Sequence, residues 1–187
     1  MNFIPATVSI PGYQVGTWKA DPGHSEIAFS VHHLLVSKAR GRFTSYDATI
    51  VTSEDPVDSS VTAAIDLASI DTGNESRDNH LRSAGYLDVD THPTMTYRST
   101  GIRRIDDAWI IDGELTLHSV TRQVPLGVKI NGFGANQFGG QRAGFSATAQ
   151  IDRRDFGIDI TAPLDGGGSV VGRKVSISLE IQAVLLK

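Results

Sequence analysis

Apolar residues alternate with polar ones along most of this chain, at a period of two. From Ile27, the residues Ile27, Phe29 and Val31 share a parity against Ala28, Ser30 and His32, the pattern of a strand with one apolar face. The same alternation joins Val61, Ala63, Ile65 and Leu67, then Met95 and Tyr97, then Trp109, Ile111, Leu115 and Leu117. It returns at Val124, Leu126, Val128 and Ile130, at Phe145, Ala147, Ala149 and Ile151, and from Val175 through Ile177, Leu179, Ile181 and Ala183 to Leu185. Adding Phe43 to Val51 and a weaker run from Val15 to Ala20 predicts an all-β protein: a single antiparallel barrel of eight or nine strands. Closure removes the exposed edges that such apolar strands would otherwise present.

Turn residues punctuate the runs. Asn131-Gly132 and Gly139-Gly140 supply the positive φ of tight reversals, and Asp112-Gly113, inside an alternating run, reads as a turn or as a bulge. The glycine run DGGGSVVG from Asp165 reads as a flexible hairpin, since it enters a strand where a phosphate cradle would enter a helix. One segment, Ser69 to Asp88, breaks the β rhythm. Thr72 and Glu75 have capping-box spacing and Gly85 suits a left-handed stop, which predicts a short helix at about 73–84 beside a barrel mouth, with Leu81 and Ala84 on one face.

The 187 residues show no shift in composition, so the chain reads as a short N-terminal extension, 1–17, and one barrel domain, 18–187. A net charge of −4, from 17 basic and 21 acidic residues interspersed, offers no basic face for nucleic acid or an anionic membrane. The absence of cysteine removes disulfides, thiolate nucleophiles and thiolate metal sites. No apolar run approaches the ~20 residues of a membrane helix. The sequence MNFIPATVSIPGY lacks the basic and apolar regions of an export signal, so the expected location is cytoplasmic.

Several stretches, taken in order, resemble the YceI-like family: DPGHSEIAFSVHH from Asp21, GRF from Gly41, SIDTGNESRDNHLRSAGYLD from Ser69, HPTMTYRST from His92, GELTLHSVTRQVPL from Gly113, GFSATAQIDRRDFGI from Gly144 and VGRKVSISLEI from Val171. Tyr86 stands where the family usually has Phe, and Ser119 where a Gly usually precedes the Val-Thr turn. The resemblance implies a lipocalin-like barrel that binds a polyisoprenoid, an isoprenoid quinone or a fatty-acid-like amphiphile without acting on it. It also implies roles in isoprenoid transport or storage or in stress response, and a homodimer. Family members are often periplasmic, a role the missing export signal does not carry over.

A non-catalytic carrier is therefore expected, with no cofactor other than a bound long-chain lipid and no other partner than that hydrophobic small molecule. Ile27, Phe29, Val31, Phe43, Met95, Tyr97, Trp109, Leu115, Leu117 and Phe145 are the candidate tunnel lining, with Ala63, Ala147 and Ala149 leaving room between larger neighbours. Alternation identifies a face, so each of these is either lining or ordinary core. Among polar candidates for a head group are His24, Arg77, Asp78, His80 and Arg98, although in the family pattern Arg77-Asp78 and His80-Leu81 read first as ties between helix and barrel, and His24 with Ser25 reads first as a cap of the first strand.

Two rival classes stand beside the carrier. A metal-dependent or serine hydrolase would need a site that the sequence does not assemble: His32 and His33 are adjacent on a strand and face opposite ways, and no Ser–His–acid set is assignable. No catalytic or metal residue is therefore expected. The other rival is a filled barrel acting as a stress or interaction module through its outer surface.

Overall fold

The computed structural model describes residues 9–34, 36–160 and 170–186. The expected hairpin from Asp165 lies outside them up to residue 169, as do the first eight residues. Twelve strands form one antiparallel sheet: β1 (Gly16–Ala20), β2 (Glu26–His33), β3 (Ser37–Phe43), β4 (Tyr46–Thr52), β5 (Ser60–Asp66), β6 (Ile70–Asp71), β7 (Thr94–Ile105), β8 (Ala108–Leu117), β9 (Val120–Gln123), β10 (Leu126–Ala135), β11 (Gln141–Asp152) and β12 (Val171–Leu185). A single helix, α1 (Glu75–Arg82), leads towards β7. Among the described residues no helix is long and apolar enough to cross a membrane.

The twelve strands make eight walls, because several walls consist of two strands laid end to end. The fifteen-residue β12 pairs with β1 through Ala183–Leu185 and with β2 through Val171–Glu180, and the pairing of β1 with both β12 and β4 closes the barrel. Between β1 and β2 the chain makes a 3₁₀ turn at Pro22–His24, whose Asp21 side chain accepts the Gly23 N–H. The same device, an aspartate accepting the N–H two residues on, caps the turns after Asp55, Asp66 and Asp152. Residues 44–45 likewise break the expected Phe43–Val51 run into β3 and β4, and a kink at Pro125 separates β9 from β10 along β8.

Neither Asp112-Gly113, read as a turn or a bulge, nor the expected reversal at Asn131-Gly132 is a turn. Asp112-Gly113 runs straight through β8, and the irregularity lies opposite, between Ser99 and Gly101 of β7. Asn131-Gly132 is a bulge within β10, facing Gly144 on β11. Gly139, at φ 80°, does turn the chain between β10 and β11. A two-residue hairpin lies just before the Val-Thr pair: His118 and Ser119, at φ 55° and 59°, link β8 to β9. Two consecutive left-handed residues are the geometry of a type I′ turn, achieved here without glycine.

The helix also begins later than the capping box predicts. Asn74 is the cap, accepting the Arg77 N–H at 2.9 Å, while the Thr72 hydroxyl instead donates to Asp78. Arg82 is the last helical residue and the chain leaves through an extended Ser83, so Gly85 plays no part in the stop. At the other end of the molecule, part of the 1–17 extension is integral to the barrel: Gly16 and Thr17 pair with Thr52 and Val51, and the Tyr13 hydroxyl donates to the Ser53 carbonyl at 2.8 Å.

Candidate functional site: a divided apolar barrel interior

The inward parity of the strands brings the apolar faces together, and the space they enclose is divided in two. Near α1 lies a cavity of about 160 Å³, the helix-end chamber; towards the opposite end lies one of about 120 Å³, the far chamber. Carbon forms nearly the whole lining of both. A dry apolar cavity of about 150 Å³ holds a six-carbon ring, so each chamber as it stands fits a chain segment of roughly that size.

Position along the strands shows what separates them. On β8, Trp109 and Ile111 line the far chamber, Leu117 lines the helix-end chamber, and Leu115 lines neither. On β7 the same division places Ile102 in the far chamber and Met95 in the other, with Tyr97 in neither. Ile65, Tyr97 and Leu115 are buried and form a waist.

The alanines serve that waist. Ala63 pairs directly with Tyr97, and Ala48 with Ala63, and none of the three borders either chamber, contrary to the expectation that Ala63 would leave room for a chain. Ala149, paired with Ile177, borders neither chamber, whereas Ala147 does line the far one.

Tyr97 is held from behind by Gly113. A Cβ on Gly113 would fall 2.3 Å from the Tyr97 hydroxyl oxygen and 2.9 Å from the Arg98 carbonyl, so only glycine lets the ring lie flat against β8. The hydroxyl donates to the carbonyl of Val124 at 3.0 Å, with Ile111 O at 3.3 Å. Burial, and then the Asp112 carboxylate, push this phenol well above its ordinary range, so it remains a neutral donor.

The ten expected lining residues therefore separate. Ile27, Phe29, Val31, Phe43, Met95 and Leu117 border the helix-end chamber. Trp109 and Phe145 border the far one, and Tyr97 and Leu115 belong to the waist instead of a tunnel wall. Val128, Val175, Ile177 and Leu179 also line the chambers and had the required parity, so the sequence could have named them. Ile158 and Ile160 could not have been found that way, since they follow β11 with no alternation.

Aromatic rings cluster at the far end. Phe133 meets Tyr13 at 5.3 Å, Trp18 at 5.5 Å and Phe145 at 5.9 Å, all edge-on or nearly so. Trp18 is fully buried and donates its indole N–H to Thr52 Oγ1 at 2.9 Å.

The helix end carries the polar groups. Arg153, 4% exposed, borders the chamber and sends its guanidinium to the carbonyls of Ile158, Gly172 and Val171 at 2.8, 3.0 and 3.0 Å. Its nearest carboxylate, Asp159, stands 3.9 Å away, and burial draws its pKa downward. Tyr86 also borders this chamber, its ring 4.5 Å from that of His80.

Of the other polar candidates, none borders either chamber among the described residues. Arg77 donates to Thr72 Oγ1 and O at 2.7 and 2.9 Å, and Asp78 accepts from the Thr72 N–H and hydroxyl, so this pair fastens α1 to the end of β6. His24 is bonded to Asp21 at 2.9 Å, and Arg98 to Glu114 at 2.7 Å.

Comparison with known proteins places this architecture. Residues 18–183 match the YceI-like domain. A UPF0312 protein of Vibrio cholerae is 35% identical over 161 residues, covering 84% of this chain and 82% of that protein. Protein YceI of Shigella flexneri is 38% identical over 136 residues, covering 72% of this chain and 71% of the other. Among solved structures, Burkholderia cenocepacia BcnA superposes with a TM-score of 0.75 at 20% identity, covering 87% of this chain and 98% of that one. A polyisoprenoid binding domain from Saccharophagus degradans gives 0.69 at 13% identity, covering 92% and 100%. At 20% and 13% identity these two report the fold alone; together with the match over residues 18–183 and the Vibrio and Shigella relatives, they show that this chain belongs to the YceI-like family.

Proposed function

We propose that this protein is a non-catalytic carrier that takes a long apolar chain, polyisoprenoid or acyl, into its barrel from the helix end. The observation that carries the reading is the pair of carbon-lined chambers inside a closed sheet, in a fold shared with a polyisoprenoid binding domain. A group that exists to bind apolar carbon needs little else: burying roughly 400 Å² of ligand contributes about 10 kcal/mol gross at ~25 cal/mol per Å². Association consumes about 4–15 kcal/mol of such a term, so micromolar binding follows without specific polar contacts.

The direction of entry follows from the asymmetry of the ends. Aromatic rings pack against one another at the far end, whereas the helix end is bordered by Leu81, Tyr86 and Leu87 from the segment around α1 and by the apolar stem of Arg153. A chain seated tail-first keeps its polar head at the helix end, outside the carbon-lined chamber. Each chamber alone fits only about six carbons. A longer tail therefore parts the waist by moving Ile65 and Leu115, which have no polar partner to lose.

Ala147→Trp tests this directly. It fills the far chamber from β11 while leaving the helix-end chamber open. Titrating chains of increasing length against wild type and variant should show equal affinity for short chains and at least tenfold weaker binding of long ones. Equal affinity at every length shows that no chain reaches the far chamber.

A further inference from the structure

We propose that Asp88, His92 and His118 form a binding site for one divalent transition ion of the zinc class, on the outside of the barrel wall beside the helix-end chamber. The site rests on its own geometry and stands or falls separately from the lipid reading. The three side chains come from two segments distant in sequence, and one potential ligand atom from each lies within 4.8 Å of the others. Ions bound at about 2.0–2.1 Å in tetrahedral geometry require ligand atoms about 3.4 Å apart, so the side chains close by little more than an ångström.

The two imidazoles are already gathered. Their ring centroids are 4.4 Å apart with planes inclined at 58°. His92 Nδ1 lies 2.8 Å from Ser119 Oγ, and with Nδ1–H donated to that hydroxyl, Nε2 presents its lone pair outward. Anchoring one ring nitrogen so that the other can ligate is the usual support of a metal-bound histidine. The backbone fixes the remaining partner: the Asp88 carbonyl accepts the His92 N–H at 2.8 Å, closing a turn that sets aspartate and histidine side by side. No ion pair or side-chain hydrogen bond among the described residues engages the Asp88 carboxylate, although it is half-buried.

Two nitrogens and one carboxylate oxygen favour zinc, cobalt, nickel or copper over calcium and magnesium, which prefer all-oxygen shells. Three protein ligands leave a fourth position for water. The placement gives the ion a structural consequence. Asp88 follows Tyr86 and Leu87 directly, with His92 one turn further on, while His118 follows Leu117, and all three of those neighbours line the helix-end chamber. An ion at this site clasps the segment after α1 to the β8–β9 turn.

Metal-stripped full-length protein is titrated with zinc by equilibrium dialysis and with cobalt by visible absorption. One equivalent of zinc should bind, the cobalt spectrum should show the strong bands of low coordination, and Asp88→Asn, His92→Ala and His118→Asn should each weaken zinc at least tenfold. Asparagine tolerates the left-handed backbone at 118, so that variant keeps the turn. His24→Ala should bind as wild type does. At a hundredfold excess over its dissociation constant, zinc should raise the melting temperature of the wild type by about 5–10 °C. Less than one equivalent, a cobalt spectrum of the hydrated ion, or unchanged affinity in folded variants of all three residues overturns the assignment.

Discussion

Replacing Gly113 by alanine should deform the waist of the barrel from behind. Gly113 has no left-handed backbone to preserve, so the effect is purely steric: the new Cβ would sit 2.3 Å from the Tyr97 oxygen and 2.4 Å from Cζ. The third contact, at 2.9 Å to the Arg98 carbonyl, is backbone in a paired strand and cannot yield. The phenol must therefore swing inwards, towards Ile65 and Leu115, and lose the 3.0 Å hydrogen bond to Val124 O. Overpacking costs about 1–3 kcal/mol, and a buried carbonyl left unpaired costs about 1–3 kcal/mol more. Part of the second term is recovered as the strands relax, so a total of about 2–4 kcal/mol is expected. At about 2–4 °C per kcal/mol for a domain of this size, the melting temperature should fall by about 5–15 °C. Calorimetry of lipid-free protein measures this, with urea midpoints as a check. Tyr97→Phe in the same background removes only the oxygen and should restore less than half of the loss, because the ring carbons still clash. A Gly113→Ala protein within about 0.5 kcal/mol of wild type would refute the reasoning, and with it the idea that Tyr97 is pinned against β8.

Arg153→Ala should lower stability by about 3–5 kcal/mol, since it leaves the carbonyls of Ile158, Gly172 and Val171 without their donor; Arg153→Lys should not restore it, because a single ammonium cannot span the fork. Thermal melts of the two variants decide this. Arg77→Ala should cost only about 1 kcal/mol, with bound-lipid composition unchanged, because its partners at Thr72 lie outside both chambers; a changed lipid profile without a changed melt would contradict the tie. Acid should also reveal Asp21. Hydrogen bonds from Arg142 and then His24 hold its carboxyl down to about 2, so the ionised form contributes stability above the unfolded value near 4 that is lost as pH falls through about 2. Asp21→Asn should accordingly lose less stability than wild type between pH 5 and pH 2, as read from urea midpoints; equal losses would show that this carboxylate is not the acid-sensitive group.

The sequence disclosed strands well and depth poorly, for a physical reason. Alternation reports which face a residue takes, and that sufficed for β5, β8, β11 and β12. It does not report the level along the barrel axis. Phe29, Leu115 and Trp109 share the inward face, yet they lie in one chamber, in the waist and in the other chamber. Level depends on strand register, and register here is set by breaks at Pro22, residues 44–45 and Pro125 and by bulges near Gly101 and Gly132, whose positions turn chemistry alone did not fix. The Asp112-Gly113 pair read as a turn or a bulge because glycine was expected to serve the backbone; it serves a neighbouring ring instead. Arg153 escaped notice since an arginine pair between two aspartates, Asp152-Arg153-Arg154-Asp155, reads as solvated surface. The gathering of Asp88 and His92 with His118 depended on a hairpin without glycine, for which the sequence carried no ordinary signal.

On the proposed function, the divided interior opens to hold one apolar chain. Protein purified from its own cells without added lipid, extracted with organic solvent and analysed by mass spectrometry, tests it most directly. One equivalent of a single class of long-chain lipid, retained by wild type and depleted in Ala147→Trp, is the predicted result. An extract free of such lipid, from protein that also fails to take up polyisoprenoid or fatty acid afterwards, would contradict it.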